Sequence, residues 1–128
     1  MSTTTPHSTD TLNRYLFNDR HVRGELVQLS QSYQSILKNH NYPVGVRLLL
    51  GELMAGTCLL TATLKFEGNI TVQLQGNGPV GYMSVNGDNK QHMRGIAKVV
   101  ETEKANEALS LQDLLGKGNM IITIKPEQ

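Results

Sequence analysis

Residues 43–79 read PVGVRLLLGELMAGTCLLTATLKFEGNITVQLQGNGP. From Val44 to Leu64 the segment is almost wholly apolar and carries no turn signal. It runs through Lys65-Phe66-Glu67-Gly68-Asn69 into Ile70-Thr71-Val72-Gln73-Leu74-Gln75, which alternates apolar and polar side chains until Gly76-Asn77-Gly78-Pro79. The first pattern predicts a long helix buried on most of its circumference, and the second a strand with one buried face. Pro43 suits the first helical position, where its missing N–H is no loss. About twenty residues of helix span roughly 30 Å, the diameter of a small domain. Gly51, Ala55 and Gly56 form a groove of small residues, and each glycine costs about 1 kcal/mol of helix propensity. That cost makes sense where another element packs closely.

Upstream, Leu12 to Leu29 reads as extended or mixed structure, with Gly24-Glu25-Leu26-Val27-Gln28-Leu29 of strand composition. Ser30 or Ser32 can cap a short helix whose apolar face is Tyr33, Ile36 and Leu37. Asn39-His40-Asn41 ends it, because Pro43 pushes Tyr42 out of the helical region. Downstream, Val80 to Val85 is a partner strand, and Asn86-Gly87 is a strong hairpin signal. A third strand runs from about His92 to Val100, with Gly95 as a bulge or a close approach. Glu101 to Ala108 is polar and reads as a loop. Ser110 caps a helix over Leu111 to Leu115, Gly116 terminates it, and Asn119 to Lys125 is a last strand. The expected fold is α+β, a layered antiparallel sheet with a long buried helix. Residues 1–11 read as a disordered tail and 12–128 as one domain.

At 128 residues, 38% apolar, the chain can build one core, mostly aliphatic because it has two Phe, four Tyr and no Trp. The formal net charge is +1, from 12 basic and 11 acidic side chains. That balance gives no electrostatic case for nucleic acid or for an anionic membrane. The run 48–64 lies at the lower edge of a spanning length, yet it contains Glu52 and has no flanking cationic cluster, so a buried helix accounts for it better. One cysteine, Cys58, excludes an intrachain disulfide and a cysteine-cluster metal site, and fits a reducing compartment. The Ser/Thr-rich N-terminus has neither the apolar run of a secretory signal nor the arginines of a transit peptide. Cytoplasm is the expected location.

Gly76-Asn77-Gly78-Pro79 is not a phosphate loop, since strand follows strand, Pro79 removes a donor and no Gly-Lys-Ser/Thr follows. The histidines His7, His21, His40 and His92 are scattered without ligand-like spacing. Cys58, with no neighbouring His or Lys, reads as a small core residue. Glu52 on a buried helix calls for a partner such as Arg20, Arg23 or Arg94, and its functional alternative is a general acid or base. No nucleophile–base pair, metal set or carboxylate pair can be assembled, so the chain is not expected to be an enzyme. A second function class is a nucleic-acid-binding module using Arg14, Arg20, Arg23 and Arg94 on a sheet surface, weakened by few aromatics and near-zero charge.

Arg14-Tyr15-Leu16-Phe17, Val22-Arg23-Gly24-Glu25-Leu26-Val27 and Leu59-Leu60-Thr61-Ala62-Thr63-Leu64-Lys65-Phe66, taken together, resemble the N-terminal part of the bacterial 33-kDa heat-shock protein family. Ile70-Thr71-Val72-Gln73-Leu74-Gln75-Gly76, Gly78-Pro79, Asn86-Gly87 and Met93-Arg94-Gly95 extend that resemblance in the same order. It covers essentially everything after the tail. It implies an ATP-independent, redox-regulated holdase that binds unfolding client proteins under oxidative and heat stress and forms a homodimer. Its sensor is a zinc centre of four C-terminal cysteines. Only Cys58 is present here, so no zinc site transfers to any residue of this chain, and neither does the peroxide switch. The resemblance implies an N-terminal core that ends short of the sensor and of the last strands of that core. It assigns no client-binding residue. A strand edge exposed at residues 119–125 would pair with a second copy.

Overall fold

The computed structural model of the chain describes residues 10–17, 22–38, 40–108 and 110–127. The N-terminal part is a hairpin of β1 (Thr11–Phe17) and β2 (Val22–Gln28), paired antiparallel from Thr11↔Gln28 to Phe17↔Val22. Two helices follow, α1 (Gln31–Leu37) and α2 (Val44–Thr61). The main sheet contains β3 (Gly68–Gly76), β4 (Val80–Asp88), β5 (Met93–Val99) and β6 (Gly118–Pro126), in the order β5-β4-β3-β6. Between β5 and β6 lie α3 (Thr102–Glu107) and α4 (Leu111–Leu115). All pairings are antiparallel, and a helical layer covers one face of the sheet, so the α+β layered architecture is as expected.

The period of two in β3 does the work assigned to it. Ile70, Val72 and Leu74 are buried, and the register sets Val72 against Val85 and Leu74 against Met83. Val46, Leu50 and Met54 of α2 pack onto this face, each fully buried, with Val80, Met83 and Val85. Ala97, Ala105, Leu114 and Leu115 close the cluster. Tyr42 enters from the α1–α2 connection; its hydroxyl accepts a hydrogen bond from the Ala97 N–H at 3.2 Å, and its ring stacks on His40 at 5.0 Å. This one side chain ties the loop before α2 to β5.

α2 differs from expectation in three ways. Pro43 is its N-cap, in an extended conformation, with its carbonyl accepting from the Arg47 N–H at 3.0 Å. The helix stops at Thr61 instead of running to Leu64. Its last turn tightens: the Thr63 and Leu64 N–H groups reach back three residues to Leu60 and Thr61. Nearby, the Thr57 and Thr61 hydroxyls return to the carbonyls of Leu53 and Cys58, local bonds that compete with continued helix. Finally, burial runs along one stripe, while Val44, Leu48, Glu52, Gly56 and Leu60 lie on an exposed one. Of the small-residue groove, Gly51 is justified: a Cβ there would come within 3.1 Å of the Tyr33 ring. Gly56 faces open space.

The β4–β5 hairpin turns later than Asn86-Gly87, which lie inside β4 opposite Arg94 and Met93. Its loop is Asn89-Lys90-Gln91 between Asp88 and His92, with Gln91 at φ 65°. That is a three-residue loop closed by a left-handed residue. Asp88 overrides the Asn-Gly signal, because its carboxylate accepts from the Lys90 and His92 N–H groups, each at 2.9 Å. Gly95 pairs regularly with Val85 and is a close-approach site, 3.3 Å from Ile36 Cδ1 once a Cβ is added. The register irregularity falls at Val80/Tyr82 instead. The segment 101–108, read as a loop, contains α3, held by the single buried residue Ala105.

α1 is capped from a distance. Ser30 sits at the N-cap but makes no side-chain cap bond. The Asp10 carboxylate accepts instead from the N–H groups of Ser30 (2.7 Å), Gln31 (3.0 Å) and Ser32 (3.1 Å), and from the Ser32 hydroxyl. Asp10 and Thr11 therefore belong to the folded domain, with Thr11 opening β1. Residues 1–9, and with them the rest of the expected tail, lie outside the described residues.

Candidate functional site

The residues singled out for chemistry do not converge. Glu52 is exposed on the open stripe of α2, beside Leu48 and Asn106, so it is not the buried carboxylate for which a partner was expected. Cys58 is fully buried in α2. Burial first, then the negative charges of Asp10 and Glu25, push its thiol above the ordinary range. It is an inert core thiol, as expected. Arg14 and Arg23 belong to β1 and β2, whereas Arg94 lies on β5 of the other sheet. Arg20, His7 and His21 lie outside the described residues.

His92 does meet a carboxylate, which the sequence spacing did not suggest. Its Nδ1 lies 3.0 Å from Asp88 Oδ2 across the hairpin. Burial pulls the Asp88 carboxyl upward, but its bonds to the His92 N–H, the His92 ring and the Lys90 N–H outweigh that and hold it below the usual carboxylate range. The ring is largely in solvent, and the carboxylate is committed to shaping the turn. The pair is a hairpin brace. Among the described residues no three His, Cys, Asp or Glu side chains group as a metal site.

What the structure assembles is a surface at β6. The turn Gly76-Asn77-Gly78-Pro79 is clamped to the end of α4. The Gly78 N–H donates to the Leu115 carbonyl at 2.9 Å, and the Asn77 side-chain oxygen accepts from the Lys117 N–H at 2.9 Å. Ser110 caps α4 through the Asp113 N–H at 3.1 Å, and Gly116 ends it at φ 64°, both as expected. A Cβ on Gly76 would lie 2.1 Å from the Leu115 carbonyl oxygen, so glycine is required where the two turns touch. This clamp delivers the chain into β6 alongside β3, from Gly76↔Gly118 to Gly68↔Pro126.

Every residue of β6 is exposed. Met120, Ile122 and Ile124 pair with Leu74, Val72 and Ile70 and so continue the core-facing side of the sheet. They retain 58%, 48% and 53% of their surface to solvent, because the helical layer does not cover them. An apolar groove of about 470 Å³ adjoins, lined by Leu74, Leu111, Leu115 and Met120. Among the described residues β6 is an edge strand, as the sequence suggested for 119–125. That its inner face would also be bare was not legible, because alternation marks a buried face without saying what buries it. A second uncovered apolar strip is the Val44, Leu48 and Leu60 side of α2. α2 is long and apolar enough to cross a membrane by length and composition alone, yet its buried stripe is used by the sheet.

A family model described as Hsp33 protein matches residues 10–128. Curated relatives called 33 kDa chaperonin include one from Colwellia psychrerythraea, 73% identical over 115 residues, covering 90% of this chain and 39% of the relative. The Pseudoalteromonas translucida protein is 56% identical over 117 residues, covering 91% and 41%. The Vibrio cholerae protein is 56% identical over 117 residues, covering 91% and 40%. This chain spans about two fifths of the length of these relatives. A match running from Asp10 to the last residue leaves no part of the described fold outside it, and the chain belongs to the Hsp33 family.

Proposed function

We propose that this chain is the N-terminal core of an ATP-independent holdase that binds unfolding proteins under oxidative and heat stress, here without its redox switch. The observation that carries the reading is the match of residues 10–128 to the Hsp33 family, and aliphatic side chains stay in solvent along β6 among the described residues. Exposed apolar surface of this kind marks an interaction site. The relatives' name, 33 kDa chaperonin, points the same way.

Residues 10–128, the span that the family model matches, act as one domain. The work is contact between surfaces and involves no catalysis. The partners are unfolded client proteins and a second copy of the chain, which pairs along the edge at 119–125, with neither nucleic acid nor membrane involved. The location is cytoplasmic. With Cys58 alone, and buried, the chain cannot supply a four-cysteine zinc centre, so no step here runs through zinc.

Light scattering of a chemically unfolded client diluted into buffer tests the reading. The 128-residue chain is expected to suppress aggregation equally with and without peroxide. Absence of suppression in both conditions would refute holdase activity in this core. Suppression only with peroxide would refute the missing switch and direct attention to Cys58.

A further inference from the structure

The N-terminal hairpin is attached to the fold differently from every other strand pair. β1 and β2 form a sheet of their own and, among the described residues, pair with no strand of the main sheet. Their register sorts the side chains into two faces. Thr11, Asn13, Leu26 and Gln28 share an exposed face, whereas Leu12, Glu25 and Val27 share one that is half-buried. No described side chain of either strand is fully buried, and none joins the core cluster. The half-buried face meets α2, against which β2 lies.

Cys58 lies beneath that face. It is fully buried in α2, yet it is not a member of the core cluster that α2 builds with the main sheet. Burial, and after it the carboxylates of Asp10 and Glu25, push its thiol upward, so both carboxylates lie close by. Glu25 belongs to the inner face of β2, and the hairpin therefore roofs this flank of α2. Such a roof is held weakly. It sets a carboxylate against the helix and buries none of its described side chains fully, and a two-stranded hairpin alone is marginal in water.

A hinge and a fastening stand at its base. Leu29 and Ser30 alone separate β2 from α1. Leu29 packs on the core, while the Asp10 carboxylate, next to the start of β1, accepts from the Ser30, Gln31 and Ser32 N–H groups. Asp10 thereby fixes the angle at which the hairpin leaves α1.

We propose that the β1–β2 hairpin is a lid on α2, which swings open as a unit about Leu29–Ser30 while the main sheet stays folded, with Asp10 as its latch. Opening uncovers the flank of α2 that carries Cys58. Units that bury little apolar surface open at a free energy well below that of the whole domain.

Cys58 is the single cysteine of the chain and reports the opening. Labelling of the 128-residue chain by N-ethylmaleimide in low urea, followed by mass spectrometry, is expected to depend on urea much less steeply than global unfolding does. Asp10→Ala, the loss of a cap, is expected to raise the labelling rate about tenfold. Ser32→Ala, which removes only the hydroxyl bond to the latch, should raise it less. Amide exchange in β1 and β2 should accelerate with the labelling while β3 and β4 keep their protection. An Asp10→Ala chain labelled at the parent's rate overturns the proposal. So does a labelling rate as steep in urea as global unfolding, because Cys58 is then uncovered only when the whole domain unfolds. Exchange that accelerates equally in β1 to β4 overturns it for the same reason.

Discussion

Asp10 offers the sharpest test of how this domain is held together, because one carboxylate organises a helix about twenty residues away. Asp10→Ala removes the acceptor for three N–H groups and one hydroxyl at the start of α1. Loss of an N-cap costs about 0.5–2 kcal/mol. Hydrogen bonds to a charged group are worth more, about 1.5–3 kcal/mol, but this site is only half-buried and the freed amides can turn to water. The expected cost is therefore about 1–2 kcal/mol, close to a tenfold rise in local opening of α1. Burial pulls the carboxyl up, yet the bonds from Ser32, Ser30 and Gln31 prevail and hold it below 3.8. A carboxylate depressed on folding contributes its full stability above the unfolded pKa and loses it as pH falls through the lower folded value. Hydrogen exchange of α1 amides, such as Gln34 N–H bonded to Ser30, should separate Asp10→Ala from the parent about tenfold at pH 7. The two proteins should converge in acid, the gap closing as pH falls through the depressed folded value of the carboxyl. Equal exchange at pH 7 would refute the remote cap, and a gap that persists unchanged into strong acid would show that carboxylate charge is not its source.

Three further outcomes follow from the packing. Leu50→Ala empties a fully buried site under the sheet and should cost about 2–5 kcal/mol in urea denaturation, with little change in the slope. Tyr42→Phe leaves the buried Ala97 N–H without its acceptor and should cost about 1–3 kcal/mol by the same method, although the ring still fills its place. Gly78→Ala would set a Cβ 2.6 Å from the Leu114 carbonyl oxygen and 2.8 Å from the Gly116 nitrogen, both backbone, so α4 and β6 must shift; exchange should accelerate in β6 while β4 and β5 stay protected. An unshifted denaturation midpoint in either of the first two, or unchanged exchange in the third, would contradict the contacts assigned here.

What the sequence revealed and what it hid divide along a physical line. Features that repeat within a few residues were legible: the alternation of β3, the apolar run of α2, and Ser110 and Gly116 bracketing α4. Features created by distant partners were not. The Asp10 cap joins positions separated by twenty to twenty-two residues, so Ser30 and Ser32 drew attention that belonged to a residue outside the helix. α3 escaped notice because Ala105 alone is buried in it, and one apolar residue makes no period. The hairpin loop starts three residues later than expected because Asn-Gly is a strong local signal, yet Asp88 supplies the turn bonds.

The same distinction governs the site. Alternating apolar residues in residues 119–125 read identically whether a helix covers them or water does, and only the footprint of α2 decides between the two. Val46, Leu50 and Met54 lie over the β3–β4–β5 part of the sheet, so coverage runs out before β6. Had α2 reached β6, Met120, Ile122 and Ile124 would be core, and the chain would present one open edge without an apolar floor. Because it does not, the outer edge and the apolar side of β6 are both uncovered among the described residues. Each alone is common on protein surfaces. Here they coincide on a strand with no charge from 118 to 124.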